Sequence, residues 1–309
     1  MSAEITTAFV QQYKSEVFHL SQQMGSRFAD KVRMESQNGD SAFYDRLGKA
    51  TAVVKASRHS DTPQIDSSHS RRRVTLSDYE WADLIDKEDL RRLLMDPAGK
   101  YAQAAAWALG RSKDDVIIAA ADGSAWGGVS GSTEVAHPNS QKYAFNDATI
   151  FSDVNVLGLR AIKQKFDAAD VDESIQRCAA IGSSGLNSLL GETSVTSSDF
   201  NTIKALVQGD IDTFMGFRFM RSERLLTQVD ALSGSATTGA VGSGTSLIAD
   251  RRNIFWAKDG LLCAVADDIV TEIERRPDKS YSTQVYASMG LGATRMEEEK
   301  VVIGFSSEA

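Results

Sequence analysis

Disulfide bridges, a local metal motif and a membrane span are all missing from this sequence, and each absence removes a class of protein. The only two cysteines, Cys178 and Cys263, lie in apolar stretches without CxxC spacing, which predicts two buried thiols rather than a disulfide framework or a zinc ribbon. The four histidines, His19, His59, His69 and His137, show neither HxxxH nor HExxH spacing and are expected to be surface or hydrogen-bonded residues. Asp170 with Asp172, and Asp210 with Asp212, lack the further oxygen ligands that magnesium needs, and fit turns or caps better. There is no GxSxG; Gly182-Ser-Ser-Gly185 has the wrong spacing for a nucleophile elbow. The run Gly239-Ala-Val-Gly-Ser-Gly-Thr-Ser246 looks like a phosphate loop but has no lysine to reach a phosphate, so a mobile loop is the better reading. No catalytic, cofactor-binding or metal-ligating residue is assigned, and no cofactor is expected. No apolar run approaches membrane length, and Met1 to Thr7 lack the basic flank and apolar stretch of a signal peptide, which predicts a cytoplasmic origin. A net charge of -8 excludes a tight nucleic-acid binder, since neutralising phosphates takes an excess of Lys and Arg.

What is present describes a globular chain. With 309 residues, 42% hydrophobic and 25% charged, it can bury one large core or two moderate ones. The strongest element runs from Asp96 to Ala121. Asp96 can cap and Pro97 can open a helix, and Ala98, Tyr101, Ala102, Ala105, Leu109, Val116, Ala119 and Ala120 recur largely at steps of three and four. Such a helix would approach roughly 40 Å. Gly110 weakens its middle by about 1 kcal/mol, which predicts a kink or a break, and Gly123 is expected to end it in a left-handed turn.

Ahead of that helix, Ile5, Phe9, Tyr13, Val17, Leu20, Met24, Phe28 and Val32 form an apolar ladder mostly four apart, an amphipathic arm that could lie on its own core or dock on another subunit. Residues 46–73 carry seven basic side chains against two acids, with Ser, Asp and Pro between them, and Arg71-Arg72-Arg73 lead into a returning strand: a long two-stranded excursion. A solvated loop is the usual reading of such a basic run and contact with acidic groups on a neighbour the alternative, under which replacing the three arginines should weaken contacts between subunits more than subunit stability. Ser77-Asp78 would cap a short helix holding Trp81, Leu84 and Ile85, followed by a second with Leu90, Leu93, Leu94 and Met95. Residues 122–155 form an ordered, Gly-rich loop, and Asn155 opens a helix with Leu159, Ile162 and Phe166 inward. Then come a buried strand at Cys178 to Ile181, a short helix at Leu186 to Leu190, a helix after Ser198-Asp199, and a strand alternating Phe217 and Phe219 with Arg218. Residues 233–246 are a Gly/Ser insert. Ile254 to Ala266 is apolar strand or helix; Ile269 to Ile273, Gln284 to Met289 and Lys300 to Phe305 are strands, with Glu297 to Glu299 at a turn.

The order of an apolar arm, a long loop, the Ala-rich helix ending Val116-Ile-Ile-Ala-Ala-Ala-Asp-Gly-Ser-Ala125, and Gly209-Asp-Ile-Asp-Thr-Phe-Met-Gly-Phe-Arg-Phe219 resembles the major capsid proteins of tailed bacteriophages. So do Ala266-Asp-Asp-Ile-Val-Thr-Glu-Ile-Glu-Arg-Arg-Pro-Asp-Lys279 and Gly292-Ala-Thr-Arg-Met-Glu-Glu-Glu-Lys-Val-Val-Ile303. The likeness covers most of residues 40–309. It implies an α+β fold, the Johnson fold of phage capsids, with an N-terminal arm (1–45), an E-loop (46–76), a P-domain with a spine helix (77–169 and 276–309) and an A-domain (170–275). It further implies a structural subunit, not an enzyme, assembling as pentamers and hexamers into an icosahedral head around double-stranded DNA. The implied partners are copies of itself, a separate scaffold protein, a portal, a decoration protein and weak non-specific contact with DNA, with no membrane. A cellular encapsulin-like shell and an α/β enzyme without a recognisable active site are the alternatives.

Overall fold

The computed structural model describes residues 21–55, 57–59, 61–62, 64–86, 98–147, 150–192, 213–228 and 249–308. Among them are three α-helices, α1 (Ala98–Asp122), α2 (Val156–Ala168) and α3 (Ser183–Gly191). The strands in the first half are β1 (Arg33–Ser36), β2 (Ser41–Leu47), β3 (His69–Thr75), β4 (Ser77–Ile85), β5 (Ala125–Gly127), β6 (Thr133–Val135), β7 (Lys142–Ala144), β8 (Asn146–Asp147) and β9 (Ile150–Phe151). Those in the second half are β10 (Arg177–Ile181), β11 (Thr213–Phe214), β12 (Phe217–Arg221), β13 (Thr227–Gln228), β14 (Ala249–Ala257), β15 (Leu261–Arg276), β16 (Ser282–Arg295) and β17 (Val301–Glu308). The expected residues 1–20 of the arm, the helix start at Asp96-Pro97, the helices at 90–95 and 199–208, Asp210, Asp212 and the Gly/Ser insert lie outside the described residues.

The chain divides into two compact units, one of Met1–Ser26, Asp78–Lys113 and Asp267–Gly290, the other of Arg27–Ser77, Asp114–Ala266 and Leu291–Ala309. These limits differ from the expected division at 169/170 and 275/276, because β10, β14 and β17 share one sheet across it.

In the larger unit, a seven-stranded sheet of order β11-β12-β10-β14-β17-β7, with β13 on β14, separates two cores. Successive side chains on a strand point to opposite faces, so each central strand feeds both cores. Ala179 and Ile181 of β10, Phe255 of β14 and Val302 of β17 face Leu159, Ile162 and Phe166 of α2 and Leu186 and Leu189 of α3. Cys178 and Ala180, Ile254 and Trp256, Val301 and Ile303 belong to the other core, with Ile117, Ile118 and Ala121 of α1 and with Phe28 and Val32. All five residues of β10 are buried, as a strand covered on both faces requires.

Helix α2 has the expected cap: the Asn155 side chain accepts from the Gly158 amide at 2.7 Å. The stretch 254–266, left between strand and helix by its sequence, is two strands, β14 and the start of β15, joined by a 3-10 turn at Lys258–Gly260. The other two sheets here are β2-β3-β5-β6 and the pair β8-β9, so the Gly-rich stretch after α1 is ordered and partly extended. Strand β1 pairs in parallel with the first residues of β15, Arg33 opposite Leu262.

The arm's ladder is not one helix as far as Val32. Residues 21–28 are irregular, Ala29–Lys31 is a 3-10 turn and β1 follows. Tertiary contacts override the spacing. The buried Asp114 carboxylate accepts from the amides of Arg27 (3.0 Å) and Phe28 (3.3 Å), Phe28 stacks on Trp256 at 5.5 Å, and the Trp256 indole donates to the Lys31 carbonyl at 2.9 Å. Phe28 and Val32 therefore belong to the subunit's own core, whereas Met24 is exposed.

In the smaller unit, β15, β16 and β4 are hydrogen-bonded in that order. The expected short helix at Trp81 to Ile85 is instead β4. Tyr79, Trp81, Asp83 and Ile85 turn inward while Asp78, Glu80, Ala82 and Leu84 stay exposed, a period of two that outweighs the capping signal at Ser77-Asp78. Ile85 and Val285 are buried there against Trp81 and Ala102. Gly110 neither breaks nor ends α1. A Cβ at that position would lie 2.7 Å from the Cα of Gly25, so the glycine serves a close backbone approach. Gly123 does not adopt a positive φ either; its amide continues the helical pattern to Ala119 O at 2.8 Å. Instead, the fully buried Arg295 collects the carbonyls at the helix end, Ala121 at 3.0 Å and Gly123 at 2.7 Å.

Candidate assembly surface

Two exposed, charged segments stand out, and they differ in how their charges are used. The first is the excursion between β2 and β3. These strands pair antiparallel from Ser41 opposite Thr75 to Leu47 opposite His69, and the Gly48 amide adds a bond to Ser68 O at 2.8 Å. The described residues beyond are nearly all exposed, Val54 at 90%.

Most of the basic charge read from this stretch is neutralised inside the unit. Arg72 is 2% exposed and pairs with Glu298, whose other oxygen lies 3.7 Å from Arg46. Arg46 also donates to the Met296 carbonyl, and Lys49 meets Glu299 at 3.2 Å and the Ala169 carbonyl at 3.0 Å. Burial pulls the Arg72 guanidinium below its ordinary pKa, partly offset by Glu298. Arg71 pairs with Asp45 at 3.2 Å and lies over the Phe43 ring at 5.6 Å. The shared intersubunit role expected of Arg71, Arg72 and Arg73 is thereby corrected for Arg72, an internal clasp that fixes the base of the excursion. Arg73 sits between Phe43 and Trp126 in the sheet register with no ion pair among the described residues. Glu298 was missed by sequence reasoning. It lies 226 positions from Arg72, and nothing in a Glu-Glu-Glu turn tells which carboxylate goes inward.

The second segment is the ribbon of β15 and β16 in the smaller unit, with β4 beside it. Across 77–86 and 267–290 there are nine carboxylates against three basic residues. From Asp267 to Arg276 only Ile269 is half-buried and the rest is exposed, Val270 and Ile273 included. Five of these acids have partners within the unit: Asp268 lies 3.7 Å from Lys113, Asp278 holds Arg276 in a two-pronged pair at 3.0 Å, Glu80 accepts from Tyr286 at 3.3 Å, Asp86 accepts from the Ser282 hydroxyl at 2.8 Å, and Asp83 accepts from the Leu84 amide at 2.8 Å. The Arg276 hydrogen bond keeps the Asp278 carboxyl below its usual range. The turn at the ribbon's end places Ser280 and Tyr281 at positive φ, a conformation L-residues rarely take.

Among the described residues, none of the sequence's weak chemical candidates forms a site. Asp172 caps its own turn, accepting from the Ser174 amide at 2.7 Å, and Asp170 is a left-handed turn residue at φ 58°. His137 is buried against the Val301 carbonyl, while His59 and His69 are exposed and His19 lies outside the described residues. Both thiols are buried and unbridged, and burial pushes Cys178 up to about 11. Among the described residues no group of three metal-binding side chains comes together, and no helix is long and apolar enough to cross a membrane.

The chain matches the family model described as phage capsid protein over residues 5–308. Solved structures similar to it include the capsid of Ralstonia phage GP4, at 9% identity and a TM-score of 0.73 over 98% of this chain and 96% of that one. A capsid of the Helicobacter pylori bacteriophage KHP30 aligns at 10% identity and 0.72 over 99% and 98%, and that of the cyanophage P-SCSP1u at 14% and 0.71 over 99% and 95%. No curated protein sequence matches it. These likenesses show the fold, an α+β capsid fold, and the family match supplies the rest: the chain belongs to the phage capsid protein family, as a structural protein and not an enzyme.

Proposed function

We propose that this chain is the major capsid subunit of a tailed phage, self-assembling as pentamers and hexamers into an icosahedral head that encloses double-stranded DNA. In this reading residues 1–45 are the N-terminal arm, 46–76 the E-loop, 77–169 and 276–309 the P-domain, with α1 as spine helix, and 170–275 the A-domain. Copies of itself are the main partner; a separate scaffold, a portal and a decoration protein complete the head, built in the host cytoplasm, and contact with DNA is weak because the chain is acidic.

The observation that carries the reading, beside the family match, is the pair of exposed segments. From Asp267 to Arg276, β15 carries four carboxylates against two arginines, and such an exposed, mostly acidic stretch gains from a cationic neighbour. The excursion of another copy offers the exposed Lys55 and Arg58 together with Val53 and Val54. Each exposed ion pair is worth only about 0–1 kcal/mol, but a closed shell repeats it in every subunit.

The test is electron microscopy of particles from cells expressing the chain with its scaffold, followed by nuclease treatment of particles made during infection. Closed shells holding nuclease-resistant DNA are expected; particles filled with protein cargo and no genome would replace the phage head with a cellular compartment.

A further inference from the structure

His137 is an ionisable group in a place that accommodates only its neutral form. It is 6% exposed, and its Nε2 lies 3.2 Å from the Val301 carbonyl oxygen at the start of β17. A carbonyl only accepts, so Nε2 carries the proton and Nδ1 carries the lone pair. Nδ1 is buried with no hydrogen-bond partner among the described residues. A second proton there would find no acceptor.

The charged groups around the ring are Arg295 on β16, Asp122 at the end of α1 and Lys142 at the start of β7. Arg295 is fully buried and donates to the carbonyls of Ala121, Gly123 and, at 3.2 Å, Val135, two residues before His137. The Asp122 carboxylate is already held by Arg252, and Glu298, the acid nearest in charge to Arg295, is held by Arg72 and Arg46. An imidazolium would thus add a cation beside a buried arginine whose neighbouring carboxylates are taken.

We propose that His137 is an acid-operated latch on residues 133–144: neutral, it pins this segment to β17 beside the end of α1, and protonated, it releases the segment while the two cores stay closed. This does not depend on how the subunits assemble.

Burial, then Arg295, holds the imidazole down to about 4, against an ordinary 6.5. The folded-state pKa is depressed, so the latch is fully closed above about 6.5 and weakens as the pH falls through the window down to about 4. With these two values the opening constant rises about 20-fold between pH 7 and pH 5.

Hydrogen exchange of the full chain, corrected for the intrinsic rate at each pH, reads this directly. Peptides covering 133–144 should lose protection about 20-fold from pH 7 to pH 5, peptides covering Ile254–Ala257 should not, and His137→Gln, which can still donate to Val301, should flatten the change to under about 3-fold. Equal pH dependence in the Gln variant, no change in the wild type, or simultaneous loss at 254–257 would each overturn the latch. Should the variant not fold, NMR of the wild type decides: a His137 midpoint below the ordinary 6.5 at which the amides of 133–144 also lose protection upholds the proposal, and a midpoint near 6.5, or one that leaves those amides protected, rejects it.

Discussion

Strand β15 passes through two different chemistries within sixteen residues. Its first four, Leu261 to Ala264, are buried and uncharged, and Cys263 belongs to the same core as Trp256 and Phe28. From Asp267 to Arg276 the strand is exposed apart from the half-buried Ile269 and carries Asp267, Asp268, Glu272 and Glu274. Side chains at the first end answer to partners in the same chain. Those at the second have few, and burial against another copy is what would give them a purpose. The arginines show the same contrast: Arg72 and Arg295 are consumed inside, while Arg73 has no ion pair among the described residues.

Stability measurements can break this contrast first at its core end. Trp256→Ala should cost about 3–5 kcal/mol, since it removes the ring stacked on Phe28 and the bond to Lys31 O, whereas Ile273→Ala on the ribbon should stay within about 0.5 kcal/mol. Urea unfolding monitored by circular dichroism checks both, and equal costs would erase the distinction. Next in size is the arginine pair. Arg72→Ala removes a fully buried guanidinium, leaves Glu298 with Arg46 at 3.7 Å as its ion-pair partner among the described residues, and should cost about 3 kcal/mol, while Arg73→Ala, which breaks no ion pair among the described residues, should cost about 1 kcal/mol or less.

How much of this was legible beforehand follows from where the partners sit. Local periodicity located α1, α2, α3, β10 and the closing strands, because their inward residues recur within a few positions: Leu159, Ile162 and Phe166 on α2, or Val301 and Ile303 on β17. It failed wherever a distant partner decides. The Asp114 carboxylate, 87 positions from the Arg27 amide, sets the irregular turn that replaces the end of the arm's helix, and the pairing of β4 with β16 overrides a capping signal at Ser77-Asp78. Of the candidate surface, the excursion and its strands were readable from 46–73. The fate of its charges was not, because Glu298 and Glu299 answer them from the far end of the chain.

A smaller effect concerns the thiols. With Cys178 pushed up to about 11 and both sulfurs buried, the native protein at pH 8 should react with a thiol reagent only at the rate of its unfolding, against immediate reaction in urea. Fast labelling of either cysteine in the native state would mean that the core facing α1 is open.

The most direct measurement is sedimentation velocity across protein concentration and salt, comparing the wild type with Glu272→Lys/Glu274→Lys. The substitutions should leave the unfolding midpoint within about 0.5 kcal/mol, because they touch only exposed positions. They should nonetheless raise the concentration at which shells or capsomers form and change its salt dependence. An unchanged assembly curve for a variant that is folded like the wild type would contradict the assignment of the acidic ribbon to contacts between subunits, and a wild type that stays monomeric with scaffold present would contradict self-assembly itself.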